Sequence, residues 1–188
     1  MADARAAIAE HVALAGRIEE LLPQADDVAR RMIAAFEAGG RVYTFGNGGS
    51  AADAQHFAEE LVGRYKRERR PLPAQSLAAD SAALTCIAND YEYDEIFARQ
   101  VRAFARGGDV VIGFTTSGRS ANVVRGLVAA RDAGATTVLF GGGDGLPAAE
   151  HADYALVVPS GATARVQEMH VLLLHIVLEH VDEWVAGE

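Results

Sequence analysis

The chain has one cysteine, Cys86, among 188 residues. A lone cysteine closes no internal disulfide, which excludes a disulfide-stapled scaffold. Its neighbours Leu84, Thr85, Ile87 and Ala88 read as core, so Cys86 is expected to be buried and structural. Basic residues are outnumbered, 17 Lys and Arg against 26 Asp and Glu, for a net charge of -9. That balance excludes the positive field a nucleic-acid surface requires. It leaves room for a small anionic metabolite, because a phosphate responds to local dipoles more than to distant carboxylates. Long hydrophobic runs are missing too. The most apolar late stretch, residues 171–178, is short and carries His175, so it reads as a core helix and not a membrane span. Asp3, Arg5 and Glu10 near the start do not fit a signal peptide. A reducing cytoplasm is the expected location. No short repeat or low-complexity tract is present.

What is there is an ordinary globular composition, half of it hydrophobic, in a chain of one-domain length. Residues 3–22 and 24–38 read as two amphipathic helices interrupted near Pro23, the second ended by Gly39-Gly40. Residues 41–45 form a β-prone run, followed by Gly46-Asn47-Gly48-Gly49-Ser50 and a helical pattern to about Val62. The same order recurs with a strand over 109–114, a polar loop over 115–120 and a helix over 121–133. Further strands are expected at 74–78, 136–140 and 155–158, and a closing helix over 164–184. Strands alternating with helices predict an α/β fold, a parallel sheet flanked by helices on both faces, with an N-terminal helical extension. In such sheets ligands sit beyond the carboxyl ends of the strands, where both polar loops fall.

Two segments look suited to an oxyanion. Thr115-Thr116-Ser117-Gly118-Arg119-Ser120 sets hydroxyls and free backbone N–H groups at the start of a helix, whose unsatisfied donors and partial positive charge attract phosphate. A capped helix would need only one hydroxyl, from Ser117 or Ser120. Neither this loop nor Gly46-Asn47-Gly48-Gly49 carries a P-loop lysine or the spaced glycines of a dinucleotide fingerprint, so no organic cofactor is expected. The one basic run, Arg64-Tyr65-Lys66-Arg67-Glu68-Arg69-Arg70, reads as a solvated loop, with Arg64 as the member that could face a phosphate.

Candidate acid–base groups are sparse. His56 and Glu60, four residues apart, share one face of a helix. Gln167 and His175 lie on broadly similar faces of the last helix, about 12 Å apart along its axis. Side chains stretching toward each other, or residues from neighbouring subunits, could bring them to one small site. By itself His175, amid Leu172, Leu173, Leu174 and Ile176, reads as a hydrogen-bonded core residue. His11, His151, His170 and His180 read as surface or packing residues.

The run from Phe45 to Leu61, together with Ala88-Asn89-Asp90, Thr115 to Asn122, and Arg165-Val166-Gln167-Glu168-Met169-His170, closely resembles the phosphoheptose isomerase family. The likeness spans residues 5 to 185. It implies a single sugar-isomerase (SIS) domain over 1–188, flavodoxin- or Rossmann-like, and a homotetramer to which helices within residues 1–40 contribute. The implied reaction converts D-sedoheptulose 7-phosphate to D-glycero-D-manno-heptose 7-phosphate, an early step toward nucleotide-activated heptoses. Carried over by motif, Glu60 is the catalytic base and His175 the acid. His56, Glu60, Gln167 and His175 match Zn²⁺ ligands. Ser50, Thr115, Thr116, Ser117 and Ser120 match phosphate-binding positions, and Asn47, Glu60, Arg64, Asp90 and Gln167 other substrate contacts. Thr115 stands where a serine is frequent in the family, which keeps the hydroxyl. Two other readings stay open: a non-catalytic SIS tetramer that binds the replication initiator protein, and an isomerase for another sugar phosphate.

Overall fold

Short apolar runs separated by amphipathic segments become, in the computed structural model, strands and their covering helices. The structure describes residues 4–187. Among them the strands are β1 (Val42–Gly46), β2 (Ala74–Ser76), β3 (Val110–Thr115), β4 (Thr136–Gly142) and β5 (Tyr154–Val158). The helices are α1 (Ala4–Arg17), α2 (Leu22–Glu37), α3 (Gly49–Val62), α4 (Ser81–Asp90), α5 (Ala98–Phe104), α6 (Ala121–Asp132) and α7 (Thr163–Ala186). The sheet is parallel throughout, in the order β2-β1-β3-β4-β5. This is the flavodoxin-like order, whose switch point lies between β1 and β3. Gly46 pairs with Phe114, so the two strands end nearly level and their following loops share one crevice.

The pleat sorts side chains into two layers. On β3, Val110, Ile112 and Phe114 enter a core with Phe57 of α3 and Met169, Leu173 and Val177 of α7. Val111 faces the other way, toward Val123 and Leu127 of α6. Helices α3 and α7, drawn from distant parts of the chain, therefore pack on the same face of the sheet. No helix among the described residues is long and apolar enough to cross a membrane.

Three expectations change. The first helix gives way at a 3₁₀ turn, Ile18–Leu21, and Pro23 sits in the first turn of α2, where its missing N–H costs nothing. Helices α4 and α5 were not legible, since α4 buries only Ile87 and has little amphipathic pattern. Cys86 is exposed, not core; α4 turns it outward, with Sγ 3.5 Å from the Asp90 carboxylate.

His170 is a packing residue, as expected, but an unusual one. It is fully buried, against the stacked rings of Phe114 and Phe140, and its Nε2 donates to the Gly141 carbonyl at 3.0 Å. Burial lowers its pKa to about 4, partly offset by that hydrogen bond. The unfolded chain thus binds a proton below pH 6.5 that the folded chain refuses until pH 4. The contribution of His170 to stability should be level above pH 6.5 and should fall by about 1.4 kcal/mol per pH unit on acidification through that window. Urea titrations at pH 7 and pH 5 should differ by about 2 kcal/mol from this residue. His170→Gln, which keeps an N–H donor, should lose that part of the slope; unchanged pH dependence would contradict the assignment.

Candidate active site

At the β1/β3 switch point two helices begin beside one pocket. Helix α3 starts at Gly49, directly after Asn47-Gly48, and α6 starts after Ser120. A cavity of about 250 Å³ is lined there by Asn47, Gly49, Ser50, Phe114, Thr115, Thr116, Ser120, Thr163 and Gln167. No side chain in that lining is charged, so an anion would be held by hydroxyls, amides and the positive ends of helices. Ser120 occupies the N-cap position of α6 without making a side-chain cap, and its Oγ lies 3.3 Å from Thr115 Oγ1. The capping alternative for Ser120 therefore falls away. Ser117 Oγ instead accepts from the Arg119 N–H at 3.2 Å, bracing a loop turned by Gly118 at φ 69°. Asn47 and Asn122 exchange reciprocal amide hydrogen bonds of 2.8 Å, tying the first loop to α6, and Tyr93 donates to Asn47 at 3.0 Å. A Cβ at position 49 would lie 2.3 Å from Gln167 Nε2, so a side chain there would displace the Gln167 amide from the pocket.

Further along α3 is a second group. Ligand atoms of His56, Glu60 and His175 all lie within 4.8 Å of one another. His56 Nε2 is 3.3 Å from Glu60 Oε1, and the His56 and His175 rings meet edge-on at 5.1 Å. Around tetrahedral zinc, bonds of 2.0–2.1 Å set neighbouring ligands about 3.4 Å apart. The donor set fits such an ion with small side-chain movements, and two imidazoles with a carboxylate are ordinary zinc ligands. Gln167 lines the hydroxyl pocket, where its amide lies against Gly49. His175, stacked at 5.5 Å on Tyr65, is held below the ordinary imidazole range by burial first and by His56 second. It is neutral at pH 7, the form that can ligate a metal.

Sequence reasoning missed Asp53. It lies between Gly49 and His56 on the same face of α3, only 8% exposed, and Oδ2 has no hydrogen-bond partner. Burial raises its pKa to about 6, and the nearby His56 offsets this only in part. Its sequence signal was weak, an acid at helical spacing in an otherwise small-residue stretch. Asn122 and Tyr93 were missed as well, because only the fold brings them to Asn47.

The basic run is a largely exposed loop, as expected, except that the Arg69 side chain is buried. It lies along α7: Lys66 pairs with Glu179, Arg67 and Arg69 with Asp182, and Arg70 packs over Trp184. The acidic residues Glu179 and Asp182 continue the His175 face of α7, and they attract the run. Arg64 is exposed, its Nε 3.9 Å from Glu68, and Asp90 is exposed at the end of α4. Neither lines the hydroxyl pocket within one chain.

Residues 8–142 match the model of the SIS domain. The chain is similar to a phosphoheptose isomerase from Aquifex aeolicus, 52% identical over 168 residues that cover 89% of this chain and 88% of the relative. The chain belongs to the phosphoheptose isomerase family. Among solved structures it resembles a phosphoheptose isomerase from Neisseria gonorrhoeae, with a TM-score of 0.90 and 39% identity. Another, from Francisella tularensis, gives 0.91 and 32%. Each of these two comparisons covers 95% of this chain and 96% of the other. Within this family of isomerases, the parallel α/β fold and the paired polar loops are as expected from sequence.

The unpaired Asp53 carboxylate should cost stability at neutral pH. The unfolded chain ionises it near pH 3.8 and the folded chain only near pH 6. Stability is therefore lost as pH rises through that window. Asp53→Asn should raise the urea-unfolding free energy at pH 7 by about 2 kcal/mol, allowing for some solvent screening. The gain should vanish below pH 4. An Asn variant less stable at pH 7 would mean that the carboxylate has a stabilising partner.

Proposed function

We propose that this chain converts D-sedoheptulose 7-phosphate to D-glycero-D-manno-heptose 7-phosphate through an enediol. Glu60 serves as base and His175 as acid, and the product feeds nucleotide-activated heptose synthesis in the cytoplasm. One observation carries the reading: a carboxylate from α3 and an imidazole from α7 converge within 4.8 Å, with His56 between them in the same group. Family membership supplies the reaction, and this geometry supports the roles.

The hydroxyl pocket would take the phosphate ester, with Ser50, Thr115, Thr116, Ser117, Ser120 and the two helix N-termini as donors. Anchoring the phosphate holds the far end of the sugar against diffusion, so the carbonyl end is presented to Glu60. Glu60 removes the proton from C1 of the ketose. The C2 carbonyl oxygen gains a proton as the enediol forms, and the 1-hydroxyl later gives up its proton as the C1 aldehyde appears. Return of a proton to C2 completes the aldose. The Glu60 side chain is 16% exposed, which suits a carboxylate that must accept a proton in a partly dry site. His175 supplies and recovers the proton on oxygen. A zinc ion held by His56, Glu60 and His175, with the Gln167 amide oxygen as the family's fourth ligand, would act as a Lewis acid on the substrate oxygen, and with the ion bound that charge stabilisation would stand in for proton donation by His175, whose ligating nitrogen then carries no proton.

Assembly as a homotetramer belongs to the same proposal. Ile8 and Val12 of α1 are each more than 60% exposed, an apolar stripe that suits burial between copies. Arg64 and Asp90, exposed in one chain, would then take their substrate-binding places at a subunit interface.

Glu60→Gln should lower kcat by about 10²–10⁴-fold while inorganic phosphate binding and fold are kept. Turnover near the wild-type rate would discard the base assignment. Chelation should abolish activity and zinc should restore it; indifference to both would remove the metal. A panel of ketose phosphates should show preference for the seven-carbon substrate, and equal rates with pentose and hexose phosphates would overturn that specificity.

A further inference from the structure

Glu60 sits in the last turn of α3, and His175 sits two turns before Asp182 on α7. Alongside the apolar packing that brings them together, these two helices are joined by a buried ion pair. The side chains of Arg69 and Asp182 are 2% and 1% exposed, and Arg69 Nε meets Asp182 Oδ1 at 3.4 Å. The rest of the guanidinium is spent on the end of α3. Nη2 donates to the carbonyl of Glu60 itself at 2.5 Å, and Nη1 to those of Leu61 at 2.8 Å, Gly63 at 3.2 Å and Arg70 at 3.0 Å. Asp182 Oδ2 accepts the backbone N–H of Arg67 at 3.1 Å.

The contacts to the Glu60 and Leu61 carbonyls satisfy groups that the end of any helix leaves without intrahelical partners, and the cation complements the negative end of the helix dipole. A Schellman turn or water could do as much. Neither would connect α3 to α7. The planar, five-donor guanidinium does so with fixed angles, which a flexible ammonium cannot reproduce. Burying such a pair seldom improves stability over a well-packed apolar substitute. Its presence at the junction of the two helices that carry the acid and base therefore points to a geometric duty.

We propose that the Arg69–Asp182 pair is a positioning device that sets the spacing between Glu60 and His175. Neither residue touches substrate; Arg69 acts through the Glu60 backbone and Asp182 through α7. The proposal rests on the acid–base roles given above. The hydroxyl pocket, at the opposite end of α3, should be insensitive to the pair.

The test compares Asp182→Asn, Arg69→Lys and the double variant Arg69→Met/Asp182→Leu, which replaces the pair with apolar groups of similar bulk. For each, kcat, KM, inorganic phosphate affinity, zinc affinity and Tm are measured. We expect kcat to fall by about 10²-fold, the cost of roughly 1 Å of misplacement. Zinc affinity should fall about tenfold, while KM and phosphate affinity change less than threefold. The double variant should recover Tm without recovering kcat. Recovery of kcat in step with Tm, or kcat per folded molecule unchanged in the single variants, would reduce the pair to a structural role and overturn the proposal. Failure of the acid–base reading would appear separately, as full activity in Glu60→Gln with the pair intact.

Discussion

The chemistry proposed for this chain depends on one packing constraint: α3 and α7 must lie against the same face of the sheet, close enough for their side chains to meet. The two helices are separated by most of the domain in sequence. They are brought together because β1, β3 and β4 turn Val42, Ile112, Phe114, Val138 and Phe140 toward that face. Phe57 and Leu61 of α3, and Leu173, Val177 and Leu178 of α7, bury against those strands. With each such side chain contributing on the order of 1.5–3 kcal/mol, the apolar core, not the polar cluster, holds the helices in place. His56, Glu60 and His175 occupy the seam that remains.

In the proposed reaction, binding and chemistry are separated along one helix. The N-terminus of α3 presents backbone donors and Ser50 to an anion, and its C-terminal half presents His56 and Glu60. This follows from the α/β topology, since a helix leaving the switch point must begin at the ligand crevice. On that reading an acidic chain would bind a phosphate ester without a cationic lining. Stability is given up around the site. Asp53 is buried beside His56 with its Oδ2 unpartnered, which raises its pKa to about 6 and costs stability at neutral pH.

Much of this was legible in the sequence. The five strands and the two polar loops stand out because β-branched runs end abruptly at glycines and hydroxyls. The His56/Glu60 pair follows from helical spacing. What was not legible depends on contacts across the fold. A string of Lys and Arg reads the same whether it faces water or an acidic stripe 113 residues away, as Lys66, Arg69, Glu179 and Asp182 demonstrate. Cys86 reads as core from its neighbours, yet α4 is too lightly packed to bury it. Asp53 carries no local sign of its isolation, because that isolation is the absence of a partner in three dimensions.

The central claim, proton transfer at one carbon pair by groups from α3 and α7, is tested most directly by running the reaction in D₂O. Followed by NMR at low conversion, the account predicts that the heptose 7-phosphate formed carries deuterium at C2, because the abstracted proton rests on a carboxylate that exchanges with solvent. Product with no deuterium at C2 at any extent of conversion would contradict it.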